Sequence, residues 1–353
     1  MNLLIVFIAL IILCIVPIII VIVINSRRNT SLPKPGTLNP LTPSSLKFAG
    51  IRVTMKSKFP KIAAAHKVVT TFPSAPSLPI DYVLPSPYLP TACNCETDPD
   101  AASKLEQLRA PVNNFEDWID TMNDAIVWGS DTESANASNV LSTGIEQETS
   151  RGSLTGNLND QGRFERMNLL LKLSTAVMRS DKPVSSTVQS WLTKVVNESK
   201  DTLLDRKNNL RIWCILNMAI TGLALNDAVL TNVASEAWTY TCDNYISDTG
   251  EMPSEAARGS RAVKYHEYAC DPLVTSAYWL HKDHSRLHAL VDYVLGLDRT
   301  QLPTRMQWIV LYNTQFGFSR LKNKAIAQKE FDALSVNPKS PCSMGGNVYW
   351  QIP

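Results

Sequence analysis

The sequence predicts an all-α fold, and three observations predict it. Apolar residues recur at helical spacing in segment after segment between residues 115 and 316, whereas the alternation that marks a β-strand is almost absent. Short polar links at Leu225–Asp227 and His281–Asp283 join consecutive helices, which must then pack antiparallel. Strongly apolar helices alternate with more amphipathic ones, which favours an inner and an outer ring of helices.

Residues 1–24 are almost entirely apolar and carry no charged side chain. Because a bilayer-spanning helix needs about 20 such residues, they predict a single-pass transmembrane anchor, with a buried core helix as the alternative. The absence of a basic start and of a small-residue cleavage site argues against a signal peptide. Pro17 is expected to kink the span, which membrane helices tolerate.

The orientation of this anchor is contested by the sequence itself. Arg27 and Arg28 follow the span, which places the rest of the chain in the cytoplasm by the positive-inside rule. Glycosylation sequons at Asn29, Asn136 and Asn197, and six cysteines outside the span, suit the opposite side. A span followed closely by arginines also resembles the envelope-sorting anchors of insect large DNA viruses. We expect a domain that is extracytoplasmic or on a virion envelope, with disulfides allowed but not required.

Three segments follow the anchor. Residues 25–91 are rich in Pro, Ser and Thr, which predicts an extended linker whose last third wraps over the next domain. A small β element around Ile80–Leu84 is the alternative. Residues 92–335 form the helical domain, and residues 336–353 form a C-terminal tail.

The helical domain begins with the pattern of Phe115, Trp118, Ile119, Met122 and Ile126. The polar segment that follows, residues 129–161, is expected to be a loop, either a lid or disordered. Residues 212–225 are apolar nearly all round and predict a buried inner helix. The other expected helices span residues 164–178, 188–195, 230–237, 273–280, 287–294 and 306–316.

The charge and the motifs of the sequence argue against several function classes. A net charge of +2 argues against a nucleic-acid binder, and no HExxH, GxSxG, P-loop or GxGxxG pattern occurs. His281, His284 and His288 could share a helix face toward zinc, but Lys282-Asp283 between them indicates a turn. We therefore expect no metal and no cofactor.

The stretch from Arg258 to Tyr268 concentrates cations and phenols. Arg258, Arg261 and Tyr265 stand at i, i+3 and i+7, so on one helix they would share a face. Nearby cations lower the pKa of a phenol, and arginines hold a carboxylate in fork geometry. The alternative is an exposed basic helix face with structural tyrosines.

Two segments together resemble a known family. Asn208–Trp213 (NNLRIW) is similar to the NNHxYW segment of alginate lyases of polysaccharide lyase family five, and residues 250–269 are similar to its GxLPxELARGxRALxYHNYA segment. Weaker likeness occurs at Leu108–Val112, Gln161–Phe164 and Trp308–Phe316, so the resemblance covers roughly residues 90–320. It implies an α/α-toroid with a deep cleft, an incomplete barrel of antiparallel helix pairs. It also implies cleavage of a uronate-containing anionic polysaccharide by β-elimination.

The resemblance also implies roles for particular residues. Asn209 and Arg258 match the pair that neutralises the substrate carboxylate, and Tyr265 matches the catalytic acid and base. Further substrate contacts are expected from neighbours of these residues, namely Asn208, Arg261, Lys264 and His266. The alternative for Asn208-Asn209 is a helix cap.

The sequence departs from the family pattern at three positions. Leu210 stands where the family has its catalytic His, Lys264 where a His is common, and Gln315 where an Arg falls. Leucine cannot accept a proton or donate a hydrogen bond. Two hypotheses therefore stay open: a membrane-anchored lyase that uses Tyr265 alone, or a silent lyase-fold protein that binds glycan or serves an envelope structurally.

Overall fold

The computed structural model describes residues 56, 63–64, 66–86, 98–180, 182–298, 300 and 306–336. The predicted anchor, most of the linker and nearly all of the tail lie outside these residues. Within them, no helix combines the length and apolarity that a bilayer span needs. The regular structure of these residues is helical apart from one isolated β-bridge, as the sequence predicts.

Eleven α-helices occur in the described residues. In chain order α1–α11 are Pro99–Trp128, Asp131–Ser150, Asp160–Arg179, Ser186–Leu203, Asn209–Leu225, Ala228–Tyr245, Pro253–Ala256, Ala262–Leu280, Ser285–Leu295, Trp308–Phe316 and Lys324–Val336. Two 3₁₀ turns, Gly259–Arg261 and Phe318–Arg320, precede α8 and α11.

The helices form two layers. The inner layer runs α1, α3, α5, α8, α10, and each of these helices packs against the next one in that order. Each is followed in sequence by a helix that packs on its outer side: α2, α4, α6, α9 and α11. Such repeated helix pairs are consistent with the α/α-toroid, and they confirm the expected alternation of buried and amphipathic helices.

Helix α5 is the centre of the core. Every residue from Arg211 to Gly222 is buried, and α3, α4, α6 and α8 all pack on it. Two of its polar side chains have partners on α3: Asn217 Nδ2 donates to the Met167 carbonyl at 2.6 Å, and the Thr221 and Ser174 hydroxyls are 3.0 Å apart. These bonds satisfy groups that would otherwise be costly to bury.

Helix α1 begins earlier than the sequence pattern indicates. Asp98 caps it by accepting the Asp100 N–H at 2.9 Å, and Pro111 lies inside the helix. The segment Leu108–Val112, expected before the first helix, is therefore part of α1. A cap and a proline at the first helical position outweigh the polar composition of this turn.

The predicted loop at residues 129–161 is wrong, because most of it is helix α2. Ser130 and Glu133 form a capping box at its start. Leu141 and Ile145 lie one turn apart and are buried, and Gly144 lets Trp118 approach so closely that an added Cβ would lie 2.6 Å from its ring. Small residues thus form a helix face that a search for large apolar side chains overlooks.

The end of the linker wraps over the helical domain, as expected. Leu78, Tyr82 and Leu84 are buried in the core. Of the alternative, a small β element, only one bridge between Tyr82 and Leu158 is present in the described residues. Asn159, the cap of α3, bonds the Leu84 backbone through both amide atoms, which fixes residues 84–86 beside the start of α3.

The cysteines of the described residues form no disulfide. Cys214, Cys242 and Cys270 are free and buried. Burial raises the pKa of each thiol, that of Cys214 to about 12, so these residues act as small apolar side chains.

Candidate active site

A cleft of about 1020 Å³ opens among α1 and the starts of α3, α5 and α8. It is large enough to hold several sugar rings. Its lining residues come from five parts of the chain: Leu84, Pro85, Ser86, Glu106, Arg109, Asn113, Asn159, Asp160, Gln161, Phe164, Glu165, Asn168, Leu203, Arg206, Asn209, Leu210, Arg258, Lys264, Tyr265 and Tyr268.

The three residues expected to catalyse meet in this cleft. Asn209 lies in the first turn of α5, Arg258 just before the 3₁₀ turn, and Tyr265 in the first turn of α8. The Cζ atom of Arg258 is 4.0 Å from the centroid of the Tyr265 ring. A guanidinium and a phenol in such contact attract each other, which holds the cation beside the phenol.

The single helix expected from Arg258 to Tyr265 is wrong. Gly259 has φ +61°, a 3₁₀ turn covers Gly259–Arg261, and α8 starts only at Ala262. Arg258 and Tyr265 are therefore brought together by a reversal of the backbone and not by helical spacing. A glycine makes this reversal possible without a Cβ penalty.

A buried carboxylate that the sequence reasoning missed organises the site. Glu255 is fully buried, and its Oε1 accepts the Asn209 backbone N–H at 2.6 Å and the Asn209 Nδ2–H at 2.9 Å. Its Oε2 accepts the Nε–H of Arg258. Glu255 thus orients both residues expected to neutralise the substrate carboxylate. Its position three residues before Arg258 is the one local signal that could have indicated this role.

Two more of the expected site residues, Lys264 and Asn208, are sequence neighbours of Tyr265 and Asn209 but differ in whether they line the cleft. Lys264 lines the cleft and is exposed. Asn208 is the cap of α5, with its Oδ1 accepting the Leu210 N–H at 3.1 Å, and it is not among the residues that line the cleft. Leu210 does line it, next to Asn209. The cap interpretation therefore holds for Asn208, while Asn209, though only 1% exposed, is among the residues that line the cleft.

The expected substrate contact of His266 is not supported. His266 is 1% exposed, and its Nε2 accepts the Met252 N–H at 3.1 Å. Because that nitrogen is an acceptor, the proton is on Nδ1, which donates to the Ala262 carbonyl at 2.8 Å. Both ring nitrogens are hydrogen-bonded to backbone groups. His266 therefore links the loop that precedes α7 with the first turn of α8. Arg261 also lies outside the residues that line the cleft.

The histidine series forms no metal site. His281 ends α8 with φ +51°, and His284 caps α9, so the turn expected between them is confirmed. No cluster of ligands suited to a metal ion occurs in the described part of the chain. Gln315, which stands at the family's Arg position, caps α8 instead, donating to the Ala277 and Lys282 carbonyls at 3.1 and 3.0 Å.

The wall of the cleft formed by α1 and α3 is acidic. Arg109 donates from one terminal nitrogen to Glu106 at 3.1 Å and from the other to Glu165 at 2.6 Å, while Gln161 also donates to Glu165 at 3.0 Å. Burial alone would lower the pKa of Arg109, but the two carboxylates raise it above its ordinary value. Arg109 is therefore protonated and positively charged.

Comparison with known proteins agrees with this geometry. A family model described as alginate lyase matches residues 113–295, more than half of the chain. The chain belongs to the alginate lyase family. The matched region contains α3, α5 and α8 and, with them, Asn209, Glu255, Arg258 and Tyr265.

Individual relatives in the alginate lyase family are distant. A polysaccharide lyase of Stenotrophomonas maltophilia is 27% identical over 188 residues, which is 51% of this chain and 56% of that protein. An alginate lyase of Azotobacter vinelandii is 28% identical over 138 residues, 35% of this chain and 37% of that protein. The chain thus spans about half or less of the length of these curated relatives.

The fold is that of a solved family member. The crystal structure of alginate lyase A1-III from Sphingomonas species A1 superposes with a TM-score of 0.63 at 17% identity, covering 84% of this chain and 94% of that one. At this identity the match shows the fold of the alginate lyase family.

Proposed function

We propose that this chain is a polysaccharide lyase that cleaves a uronate-containing anionic polysaccharide by β-elimination. The convergence of Asn209, Arg258 and Tyr265 in one cleft carries the proposal. Its family membership supports it, and alginate lyase A1-III, which shares the fold, has been solved in complex with a tetrasaccharide.

In the proposed reaction the uronate carboxylate meets Asn209 and Arg258. The bond to Glu255 uses Nε of Arg258, so the terminal amino groups are the ones that can bind a carboxylate in fork geometry. One Nδ2–H of Asn209 is directed to Glu255, and the other can donate to the substrate. Neutralising the carboxylate stabilises the negative charge that develops when the neighbouring C5 loses its proton.

Tyr265 carries the proton transfer in this proposal. The phenolate oxygen takes the C5 proton, a double bond forms between C4 and C5, and the bond from C4 to the glycosidic O4 breaks. The same phenol then donates the proton to O4, which restores the phenolate. Arg258 over the ring stabilises the charge on the phenolate between turnovers. Leu210 can take no part in these steps, so one residue serves as both base and acid.

A phenylalanine variant tests the proposal. The full chain should release unsaturated uronate, followed by ultraviolet absorbance, from at least one polyuronate or uronate copolymer. In Tyr265→Phe the ring under Arg258 remains but the proton carrier is lost, so kcat should fall about 10²- to 10⁴-fold with KM little changed. Retention of full kcat in this variant would exclude the proposed role of Tyr265.

The presence of Leu210 in the cleft favours a second candidate function. Without the histidine of its relatives, the chain could bind glycan or serve an envelope structurally, and not turn substrate over. Absence of unsaturated product from every polymer, together with retained oligosaccharide binding that Arg258→Ala abolishes, would favour this second function.

Membrane attachment through residues 1–24, with the helical domain outside the cytoplasm or on a virion envelope, is also a proposal. It rests on the apolar composition of that segment. The full chain should stay in the membrane pellet at alkaline pH, and a chain without residues 1–24 should be released. Release of both the full and the shortened chain at alkaline pH would contradict anchoring. Protection of the helical domain from protease added outside the membrane would contradict the proposed orientation.

A further inference from the structure

We propose that the cleft selects a polymer in which uronates alternate with uncharged sugars, in preference to a homopolymer of uronates. This inference deepens the proposed function and rests on it. The observation behind it is that the two walls of the cleft differ in charge and in hydrogen-bonding character.

The wall that holds the neutralising pair suits one uronate. Arg258 and Lys264 line it with positive charge, and Asn209 adds an amide donor. The charge of Arg258 is balanced on the side away from the cleft by Glu255, which is fully buried and does not line the cleft. A substrate carboxylate bound at this wall therefore meets hydrogen-bond donors and no acidic side chain.

The wall formed by α1 and α3 does not suit a second uronate. Its cation is Arg109, and both terminal nitrogens of that guanidinium are bonded to carboxylates, those of Glu106 and Glu165. Two carboxylates against one guanidinium leave this wall with an excess of negative charge. The carboxylate of a uronate placed here would be repelled by these two carboxylates. It would also find no guanidinium whose two terminal nitrogens are both open to it.

The same wall suits a sugar that donates hydrogen bonds. Carboxylate oxygens accept several bonds each, and the side chains of Asn113 and Asn168 add amide groups beside them. Sugar hydroxyls and the N–H of an acetamido group are donors of the required kind. An N-acetylhexosamine, which is uncharged, would therefore be bound where a uronate is repelled.

The two walls are neighbours along the cleft. The Tyr268 ring lies 6.4 Å from that of Tyr265 on one side and 6.5 Å from that of Phe164 on the other, measured between centroids. Phe164 immediately precedes Glu165 in α3. A chain of sugars that places a uronate on Tyr265 thus extends over Tyr268 toward the acidic wall.

Two polymers of the same uronate test the inference. Polyglucuronate and hyaluronan both contain glucuronate substituted at O4, but in hyaluronan each glucuronate is followed by N-acetylglucosamine. We expect kcat/KM of the full chain to be at least about tenfold higher on hyaluronan than on polyglucuronate. An equal or higher value on polyglucuronate would overturn the inference.

Variants of the acidic wall locate the cause. In Glu165→Gln one charge is removed and an acceptor remains, so activity on polyglucuronate should rise and the preference should shrink severalfold. Glu106→Gln, whose side chain is 62% exposed and tolerates change, should act in the same direction. Glu236→Gln, exposed on α6 and not among the cleft residues, is the matched control and should leave the preference unchanged. An unaltered preference in both wall variants would contradict the proposal.

Binding measurements separate this inference from the proposed function. Tyr265→Phe protein is titrated with hyaluronan and glucuronate oligosaccharides of equal length. Tighter binding of the alternating oligosaccharide supports the inference even when no polymer is cleaved, an outcome that would remove only the lyase proposal. Equal or weaker binding of it would overturn the inference, whatever the turnover.

Discussion

The guanidinium of Arg258 lies over the ring of Tyr265, with Cζ 4.0 Å from the ring centroid. The position of this cation depends on Glu255, a carboxylate that is buried behind the cleft and also holds Asn209. The two residues expected to bind the substrate carboxylate, Asn209 and Arg258, are thus held by one buried group that does not line the cleft. This arrangement makes Glu255 a positioning residue whose loss should affect turnover.

Glu255→Gln should lower kcat about ten- to hundredfold. Glutamine can still accept from Asn209, but its amide turns a donor toward the Nε–H of Arg258, and a hydrogen bond to a charged group is worth about 1.5–3 kcal/mol. KM should change less than kcat, and because a buried bond to a charged group is lost the thermal midpoint should fall by about 3–10 °C, which leaves the protein folded in the assay. Glu251→Gln, on a partly buried acid outside the cleft, is the control. An equal loss in both variants would indicate a structural effect only.

Leu210→His should increase turnover. The side chain lines the cleft next to Asn209, at the position where the sequence resemblance places the family's catalytic histidine. A general base typically contributes about 10²- to 10⁴-fold, and an unoptimised one should give about tenfold. The pH–rate profile should gain an ionisation near the ordinary histidine pKa of about 6.5. Leu210→Gln, which has polar atoms but does not titrate, should show neither change; a similar gain there would rule out base catalysis.

Gly250→Ala should destabilise the fold much more than Gly259→Ala. Both glycines have positive φ, +90° and +61°. At Gly250 an added Cβ would lie 2.0 Å from the Ala289 carbonyl oxygen, whereas at Gly259 nothing lies within 4 Å. Gly259→Ala should cost about 1–2 kcal/mol from backbone strain alone. For Gly250→Ala we expect about 3 kcal/mol or more in urea unfolding. Similar costs would show that the Ala289 contact is unimportant.

Stability should fall in mild acid because of His288. Burial lowers the pKa of His288, and its bond to Asp283 offsets this only in part. Since the folded pKa is depressed, the unfolded state binds more protons, so the contribution is fully present above the unfolded value of about 6.5 and is lost as the pH falls from there through the lower folded pKa. The free energy of unfolding should therefore decline from about pH 7.5 to about pH 5.

His288→Gln isolates this contribution. The variant should be less stable overall, because the bond from His288 to the Tyr312 hydroxyl at 2.8 Å is altered. Its dependence on pH should nevertheless be shallower than that of the wild type. The pKa of His281 is also lowered by burial, and because His281 is present in both proteins its effect cancels. Parallel curves for the two proteins would show that His288 does not titrate in this range.

The sequence determined the helices that carry large apolar residues at regular spacing, since that spacing is a local property of the chain. The buried inner helix is one example, predicted at residues 212–225 and observed as Asn209–Leu225. It also predicted the residue types of the candidate site, because Asn209, Arg258 and Tyr265 stand in segments similar to a known family. Helix α2 was missed because its buried face consists of small residues, which signal burial only when a partner such as Trp118 is known.

Only the tertiary structure decided which polar side chains face the cleft. His266 and Lys264 are two residues apart, yet His266 is hydrogen-bonded to backbone in the interior and Lys264 lines the cleft. Glu255 has its role because α5, which begins 46 residues earlier, brings Asn209 within hydrogen-bond distance. Periodicity can indicate that a residue lies at a helix start or on a polar face. Which partner meets that residue depends on the packing of segments far apart in the chain, and burial then decides whether it binds backbone, a charge or substrate.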